Sequence, residues 1–389
     1  MNLAAIQEEL RRLNLDGWLF FDHHLRDPLA YRILGLTHLY HVTRRWYYLI
    51  PATGEPRRLV HRIEALKLDS LPGEKAVYSS WKEQVDGLGK LLAGSKRIAM
   101  QYSPQCAIPY VSMVDAGTLE LIRTFGVDVV SSADLIQHFE ARWSAEQLEM
   151  HLEAGRRVDR ILASAFDRIR ERTRSGAGTH EYEMQQFIRD QFQANDMVTD
   201  SGPNVSVNAN SGNPHYEPTA EQHSPIRKGD FVLIDLWAKL NRTGAVYYDI
   251  TWVGACGDPT AEMRKVFDAV IGARDAAVEF VRTSLEAGKQ VHGFEVDDIS
   301  RGYITERGYG ERFIHRTGHS IGEDVHGSGA NMDNLETHDE RLIADSTCFS
   351  VEPGIYLPHF GVRCEVNVFA GSGTARVTGE VQRDLVRLD

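Results

Sequence analysis

The sequence lacks the features that would direct a chain into or across a membrane. It has no stretch of about 18 consecutive apolar residues, which is the length that a membrane-spanning helix requires. The first residues, MNLAAIQEELRRLNLDGW, follow an amphipathic helical pattern of mixed charge. They lack the basic start and apolar run of a secretory signal. We therefore expect a cytoplasmic protein that does not bind membranes.

Cysteine is also scarce. The four cysteines are scattered and form no CxxC pair: Cys106, Cys256, Cys348 and Cys364. This distribution excludes a disulfide framework and a thiolate metal cluster. We expect reduced thiols, in agreement with a cytoplasmic location.

Positive charge is in short supply. The chain has 43 Lys and Arg residues against 55 Asp and Glu residues, a formal net charge of -12. An acidic protein repels phosphate backbones, so nucleic acid is not an expected partner. Carboxylates suit divalent cations instead, provided that several of them meet in one site.

The chain, with 389 residues, is long enough to form two domains. Residues 1–140 alternate apolar runs of strand length with helical patterns, which predicts an α/β domain. The predicted strands in it are 17–21, 45–50, 57–61, 75–80 and 96–101. Longer helical patterns begin near residue 140, so we expect residues 141–389 to form a second domain of α+β class.

The second domain repeats one order of elements, two helices followed by strands. Ser144 and Gln147 form a capping-box pattern at the first helix, and Asp258-Pro259 predicts the start of the corresponding helix in the second half. The predicted strands are 205–209, 230–238 and 245–253, and then 312–316, 346–352 and 361–369. We infer an internal duplication over 144–253 and 258–370, with a cleft between the two halves.

Four acids lie on predicted strands flanked by core residues. They are Asp235, Asp249, Glu352 and Glu365, and a histidine, His319, lies in the glycine-rich segment TGHSIG. Strand alternation places Tyr247, Asp249 and Thr251 on one face, and Arg363, Glu365 and Asn367 on another. Because buried carboxylates are costly unless they are paired or bound to metal, this set predicts a metal site.

This pattern resembles the metallopeptidase family with the pita-bread fold, which includes methionine aminopeptidase, aminopeptidase P and prolidase. The five residues occur in the family's order, with Glu352 in VEPGIY and Glu365 in GVRCE. The resemblance covers residues 144–370. It implies a pita-bread catalytic domain in 141–389 and a creatinase-like α/β domain in 1–140, as in the proline-specific members.

Three departures from the family pattern leave all five residues in place. Asp235 and Asp249 are 14 positions apart, which is wider than in prolidases and indicates a longer hairpin. Trp252 and Val366 stand where an arginine and an acid are common. These changes concern the surroundings of the site.

The resemblance implies two divalent metal ions per subunit, with manganese expected in preference to cobalt or zinc. Asp235 would chelate one ion, Asp249 and Glu365 would bridge both, and His319 and Glu352 would complete the second site. A metal-bound hydroxide would attack the scissile carbonyl, with Glu352 also acting as general base.

Two further histidines match positions of the family, and a third is considered for its spacing from His319. His215 in NPHYEPT and His326 in DVHG correspond to histidines that bind the substrate and assist catalysis. His315 precedes His319 by four residues, a spacing that would suit a metal pair on a helix. The intervening Arg-Thr-Gly favours a strand and turn, so we expect His315 to be structural or to line the substrate site.

The implied reaction is hydrolysis of the Xaa-Pro bond of a small peptide. We expect a dipeptidase (prolidase), with an aminopeptidase P acting on longer peptides as the alternative. A dipeptidase must bind the substrate carboxylate, and the candidates are Arg363, Arg341 or Arg44 from the partner in the homodimer that the family implies. Arg363 is therefore a candidate substrate-binding residue, although it would equally suit orientation of Glu365 or a surface ion pair.

Two other function classes share this fold. A creatinase-like hydrolase and a non-catalytic binding protein would both be expected to have lost ligands from the set. All five residues are present here, which favours the metallopeptidase.

Overall fold

The structure, a computed structural model, describes residues 1–36 and 41–389. The chain divides into two compact units, the N-terminal unit Met1–Glu140 and the C-terminal unit Ala141–Asp389. Among the described residues no helix has the length and apolar character needed to cross a membrane. All four cysteines are free, and three of them are buried.

The N-terminal unit is a six-stranded mixed sheet with helices. Its strands are β1 (Gly17–Asp22), β2 (Trp46–Pro51), β3 (Arg57–His61), β4 (Glu74–Tyr78), β5 (Arg97–Met100) and β6 (Asp128–Ser131), in the order β4-β3-β2-β1-β5-β6. Its helices are α1 (Leu3–Arg12), α2 (Pro28–Leu34), α3 (Trp81–Leu91), α4 (Ala116–Arg123) and α5 (Ala133–Ile136). Strand β2 is antiparallel to both of its neighbours, and the other pairs are parallel. The carboxyl ends of β1, β3, β4, β5 and β6 therefore lie at one edge of the sheet.

The C-terminal unit contains four long helices. They are α6 (Ala145–Ser175), α7 (Glu181–Ala194), α8 (Ala261–Glu286) and α9 (Gly293–Glu306). Helix α6 begins as predicted, because the Ser144 hydroxyl accepts from the amide of Gln147 and the Gln147 side chain returns the bond. Its apolar face packs with α7 against the strands in one core cluster that includes Val158, Ile234 and Ile250.

The strands of the C-terminal unit form two main sheets. The first contains β8 (Met197–Val198), β9 (Asn204–Val207), β11 (Phe231–Leu240), β12 (Tyr248–Ala255) and β19 (Val386–Arg387). The second contains β13 (Ser320–Ile321), β14 (Thr347–Val351), β17 (Val366–Gly371) and β18 (Thr374–Val377). Two small pairs are β7 (Thr179–His180) with β10 (Pro225–Ile226), and β15 (Gly354–Tyr356) with β16 (Gly361–Arg363).

Two boundary predictions in the second half are wrong. Helix α8 begins at Ala261, not at Asp258-Pro259, because the Thr260 hydroxyl accepts from the amide of Met263 and caps the helix two residues later. The run 312–316 is not a strand. Its carbonyl groups at Phe313 and His315 accept from the guanidinium of Arg301, so a side chain takes the place of a neighbouring strand.

The predicted strand 361–369 is divided. Residues Gly361–Arg363 pair with β15, and Val366–Gly371 pair with β14, so the two parts belong to different sheets. Glu365 lies at the break between them. The predicted apolar face is confirmed, since Val362, Cys364, Val366 and Val368 are all buried in the core.

Candidate metal centre

The first two predicted ligands lie on neighbouring strands. Asp235 is on β11 and Asp249 on β12, and the antiparallel register pairs Asp235 with Thr251 and Trp237 with Asp249. A hairpin through residues 241–247 joins the strands, which accounts for the wide spacing of the two aspartates. Asp249 is buried, whereas Asp235 is partly exposed.

The other three predicted ligands come from the second half of the same unit. His319 directly precedes β13, Glu352 directly follows β14, and Glu365 lies between β16 and β17. Ser350 fixes this arrangement, because its hydroxyl accepts from the amide of His319 at 3.0 Å and donates to Glu352 Oε1 at 3.2 Å.

Hydrogen bonds between the two halves bring the ligands together. The amide of Glu365 donates to the Thr251 carbonyl at 3.1 Å, and the Asn367 side chain bonds to both the amide and the carbonyl of Asp249. One ligand atom each of Asp249, His319 and Glu365 lies within 4.8 Å of the others. Nε2 of His319 is 3.6 Å from Asp249 Oδ2 and 3.4 Å from Glu352 Oε1.

The electrostatics of the cluster favour the binding of cations. Burial raises the pKa of Asp249 and Glu365 well above the usual range, and the neighbouring carboxylates raise both further. Burial also raises the pKa of Glu352. When ionised, the four carboxylates carry more negative charge than the guanidinium of Arg363 balances, and divalent ions would offset the excess.

The protonation state of His319 also favours a bound cation. Its Nδ1 lies 3.1 Å from the carbonyl oxygen of Ser320, which places the proton on Nδ1. Burial lowers the pKa of His319, so the ring is neutral and the Nε2 lone pair faces the carboxylates. A lone pair that faces carboxylate oxygens is unfavourable until a cation lies between them.

Two buried carboxylate oxygens of this cluster have no hydrogen-bond partner among the described residues. They are Oδ1 of Asp249 and Oε1 of Glu365, one on each of the residues predicted to bridge the ions. Buried polar atoms are normally satisfied, and a bound cation would satisfy these two oxygens. The donor set therefore fits two divalent metal ions.

Arg363 lies inside this cluster, and only about 4% of its surface is exposed. Its guanidinium donates to Asp235 Oδ2, to Thr251 Oγ1 at 3.1 Å and to the Tyr356 hydroxyl at 3.2 Å. The surface ion pair considered for Arg363 is thus wrong. Its carboxylate partners are Asp235 and, at 3.8 Å, Glu352. It reaches Glu365 through Thr251, whose hydroxyl donates to Glu365 Oε2 at 2.8 Å.

Of the two predicted catalytic histidines, His326 lies beside the predicted ligand His319. The rings of His326 and His319 meet edge to face with centroids 4.3 Å apart. The pKa of His326 is lowered by His319, by burial, by Arg316 and by His215, so His215 lies within electrostatic range of His326. His215 itself is exposed, and its amide donates to Asn213 Oδ1.

The side chains of two other candidate residues, His315 and Arg341, already form hydrogen bonds within the protein. His315 lies outside the helices and strands, and its ring nitrogens bond to the Arg316 carbonyl and the Tyr356 hydroxyl. Arg341 is buried and forms a forked ion pair with Asp339 while donating to the Ser328 carbonyl. Arg341 is therefore not available to bind a substrate carboxylate.

Sequence analysis assigned no role to four polar residues that hold the ligands in place: Thr251, Ser350, Tyr356 and Asn367. Strand alternation places Thr251 on the face of Asp249 and Asn367 on the face of Glu365. This shared face was the feature of the sequence that could have identified both residues. Ser350 and Tyr356 carried none, because their roles depend on contacts with distant parts of the chain.

The sequence is also similar to those of known metallopeptidases. Residues 149–371 match the model of metallopeptidase family M24. A protein named Xaa-Pro dipeptidase from Lactobacillus delbrueckii subsp. lactis is 30% identical over 234 residues, which cover 60% of this chain and 58% of that protein. The match thus spans less than two thirds of that relative. Another Xaa-Pro dipeptidase, from Pyrococcus horikoshii, is 27% identical over 366 residues and 93% of each chain.

Solved structures resemble the chain over nearly its whole length. A prolidase from Thermococcus sibiricus has a TM-score of 0.69 at 23% identity, covering 99% of this chain and 98% of that one. The dipeptidase PepE from Mycobacterium ulcerans has a TM-score of 0.73 at 22% identity, covering 99% and 96%. These likenesses confirm the predicted fold, a pita-bread domain that follows an N-terminal α/β domain.

Proposed function

The chain belongs to metallopeptidase family M24, and from this premise we propose that it is a dinuclear metal-dependent exopeptidase that hydrolyses the Xaa-Pro bond of dipeptides. The observation that carries the proposal is the cluster of four carboxylates and His319, in which two bridging carboxylates have unpaired buried oxygens. The proline specificity rests on the relatives named Xaa-Pro dipeptidase.

Each of the five ligands has a place in the proposed site. Asp235 would hold one ion, Asp249 and Glu365 would hold both, and His319 and Glu352 would complete the second site. When bound, the ions supply Lewis acidity that activates water and polarises the peptide carbonyl. Manganese is the metal that we propose, with cobalt and zinc as alternatives, because oxygen ligands with one imidazole accept all three.

The side chains around the ligands suit proton transfer. Burial raises the pKa of Glu352, which favours its role as the general base, and the Ser350 hydroxyl orients its Oε1. We propose that His326 and His215 donate hydrogen bonds to the carbonyl oxygen as negative charge develops on it. Arg363 positions Asp235 and, through Thr251, Glu365.

A dipeptide substrate has its free carboxylate close to the scissile bond, so a dipeptidase needs a cation that binds this carboxylate. Arg341 is paired, and Arg363 already bonds three protein groups, which weakens its candidacy as the carboxylate receptor. Arg44 of the N-terminal unit is exposed. We propose a cytoplasmic homodimer in which the partner subunit provides this cation.

A peptide panel tests the proposal. The purified protein, loaded in turn with manganese, cobalt or zinc, is assayed with Xaa-Pro dipeptides, Xaa-Pro-Yaa tripeptides and matched Xaa-Ala dipeptides. We expect Xaa-Pro dipeptides to be cleaved fastest, and Glu365→Gln to abolish the cleavage. Faster turnover of the tripeptides would assign an aminopeptidase P instead. No cleavage of any Xaa-Pro bond with any of the metals would overturn the proposal.

A further inference from the structure

A buried carboxylate that the proposed mechanism does not use lies at the start of α7. This residue, Glu181, is 0% exposed. A buried carboxylate is costly unless donors of the protein satisfy it. Among the described residues, the donors to Glu181 all come from residues 207–224, which run from the last residue of β9 to the residue before β10. We call residues 207–224 the connecting segment.

Both carboxylate oxygens of Glu181 accept hydrogen bonds from the connecting segment. Oε1 accepts from the amide of Val207 at 2.7 Å and from the side chain of Asn210 at 2.9 Å. Oε2 accepts from the Tyr216 hydroxyl and the amide of Ser224, each at 2.6 Å, and from Asn210 at 3.1 Å. One side chain of α7 thus holds the connecting segment at its start, in its middle and at its end.

The bond in the middle of the segment lies directly beside His215. Tyr216, whose hydroxyl donates to Glu181, is the next residue of the chain. His215 is exposed, and among the described residues no hydrogen bond holds its ring. The place of this ring therefore depends on the backbone that the Tyr216 side chain fixes to Glu181.

The hairpin of β15 and β16 holds the connecting segment on the other side of His215. The Ser211 hydroxyl accepts from the amide of Gly361 at 2.9 Å. The contact is close, since a Cβ atom on Gly361 would lie 2.1 Å from the Ser211 carbonyl oxygen. The same hairpin carries Tyr356 and Arg363, which bond to each other in the metal centre. His215 thus lies between a contact with the metal-centre hairpin and a contact with α7.

His215 is also within electrostatic range of the metal centre. The pKa of His326 is lowered mainly by His319, by burial and by Arg316, and His215 adds to these effects. A displacement of the connecting segment would therefore change the distance between His215 and His326.

From these contacts we infer that Glu181 is a positioning residue, which holds the connecting segment so that His215 reaches the substrate. The inference rests on the proposed function, in which His215 acts on the substrate. Glu181 itself touches neither the substrate nor a metal ligand, and it acts through Tyr216 and the backbone of the segment.

Glu181→Gln is the variant that tests this role. It keeps the size of the side chain but replaces one acceptor oxygen by an NH2 donor. Whichever way the new amide turns, this donor faces the backbone amide of Val207 or of Ser224, and that amide loses its acceptor. We expect the connecting segment to loosen while the five proposed metal ligands, which lie outside it, keep their places.

Amide hydrogen exchange, followed by mass spectrometry, measures this loosening without an activity assay. In Glu181→Gln, peptides from residues 207–224 should exchange about tenfold faster or more, because a charged hydrogen bond is lost. Peptides from β12 and β14 should keep their rates. Asp22→Asn is the matched control, since Asp22 is also buried and accepts from three backbone amides and from the Tyr31 hydroxyl. It should leave exchange in residues 207–224 unchanged.

Steady-state kinetics of the metal-loaded protein with an Xaa-Pro dipeptide test the link to His215. We expect kcat/KM to fall by about 10- to 100-fold in Glu181→Gln, because a small misplacement of a catalytic group has an effect of this size. His215→Asn should lower kcat/KM at least as far. The double variant Glu181→Gln/His215→Asn should be no slower than His215→Asn, since residues that act through one another are not additive. Asp22→Asn should retain kcat/KM.

Two results would overturn the inference. One is unchanged exchange of residues 207–224 in Glu181→Gln. The other is a double variant in which the two losses of kcat/KM multiply, because a general effect on the fold would add to the loss of His215. Metal analysis of each variant should still find two ions per chain.

Failure of the proposed function gives a different result. A lack of Xaa-Pro cleavage by the unaltered, metal-loaded protein would overturn the proposed function, and with it the role of His215 on which the inference rests. The two failures are distinguishable, because the exchange measurement requires no substrate.

Discussion

Arg363 donates a hydrogen bond to Oδ2 of Asp235 within a cluster of carboxylates. Its remaining bonds go to Thr251 and Tyr356, so one guanidinium fixes a metal-ligand strand to the segment that carries Glu365. Since such outer contacts orient ligands, they are expected to affect catalysis as well as stability.

Replacing Arg363 with lysine should therefore impair the site while leaving the fold intact. Lysine keeps the charge but cannot reach three acceptors, so we expect kcat to fall by about 10- to 100-fold. Metal content is measured in parallel by mass spectrometry. Arg341→Lys is the control, since it alters a similarly buried arginine–aspartate pair. Equal losses of kcat in the two variants would contradict a specific role for Arg363.

The Thr251 hydroxyl gives a second prediction. It accepts from Arg363 and donates to Glu365, so Thr251→Val should leave Oε2 of Glu365 and Nε of Arg363 without their partner. A loss of stability of about 1–3 kcal/mol is expected from denaturant unfolding, together with weaker metal binding. Thr251→Ser keeps the hydroxyl and should retain most of both properties. Larger losses in Thr251→Ser than in Thr251→Val would show that the methyl group, not the hydroxyl, matters.

Metal content depends on the bridging carboxylates. Glu365→Gln removes one of them, and we expect the bound metal to fall from about two ions per chain to one or fewer. In protein treated with a chelator the same change should raise the melting temperature, because it removes one of several buried like charges. Glu340→Gln, at an exposed site, serves as the control and should change neither quantity. An undiminished metal content in Glu365→Gln would contradict the bridging role.

His326 is expected to act on the substrate without holding metal. His326→Asn should lower kcat by about 100-fold or more while leaving two ions bound. His223→Asn, which alters an exposed histidine bonded to the Thr219 carbonyl, should leave kcat unchanged. Steady-state kinetics and metal analysis on the same preparations separate the two effects. Loss of metal in His326→Asn would make His326 a ligand instead.

A buried histidine away from the metal centre gives a pH-dependent prediction. His151 bonds to the Tyr247 carbonyl and the Thr378 hydroxyl, and the rings of Trp143 and Tyr248 pack on it. Burial lowers the pKa of His151 from 6.5 to about 4. The unfolded chain binds its proton first on acidification, so stability falls as the pH drops from about 6.5 to about 4, by about 3 kcal/mol.

Denaturant unfolding across this pH range checks the prediction, with chelated protein so that metal binding does not contribute. His151→Gln has no proton to bind and should show a flatter pH dependence than the unaltered protein. Equal slopes in the two proteins would show that other groups govern the acid response.

Much of the fold could be predicted because helices and strands follow local patterns. The capping box at Ser144 and the strand Arg57–His61 occur as expected. Prediction was wrong where a distant side chain replaced a local partner. Arg301 takes the carbonyl groups of Phe313 and His315, and nothing in the run 312–316 itself indicates this.

The sequence by itself indicated which residues could hold metal: four acids on apolar strands and a histidine in a glycine-rich turn, in a fixed order. Only the tertiary structure decided how they meet. Asn367 fastens Asp249 across the two halves of the duplication, and Arg363 turns inward to Asp235 instead of outward to solvent. The physical reason is that the pattern of a strand sets the face on which a side chain lies, whereas its partner depends on which strand packs beside it.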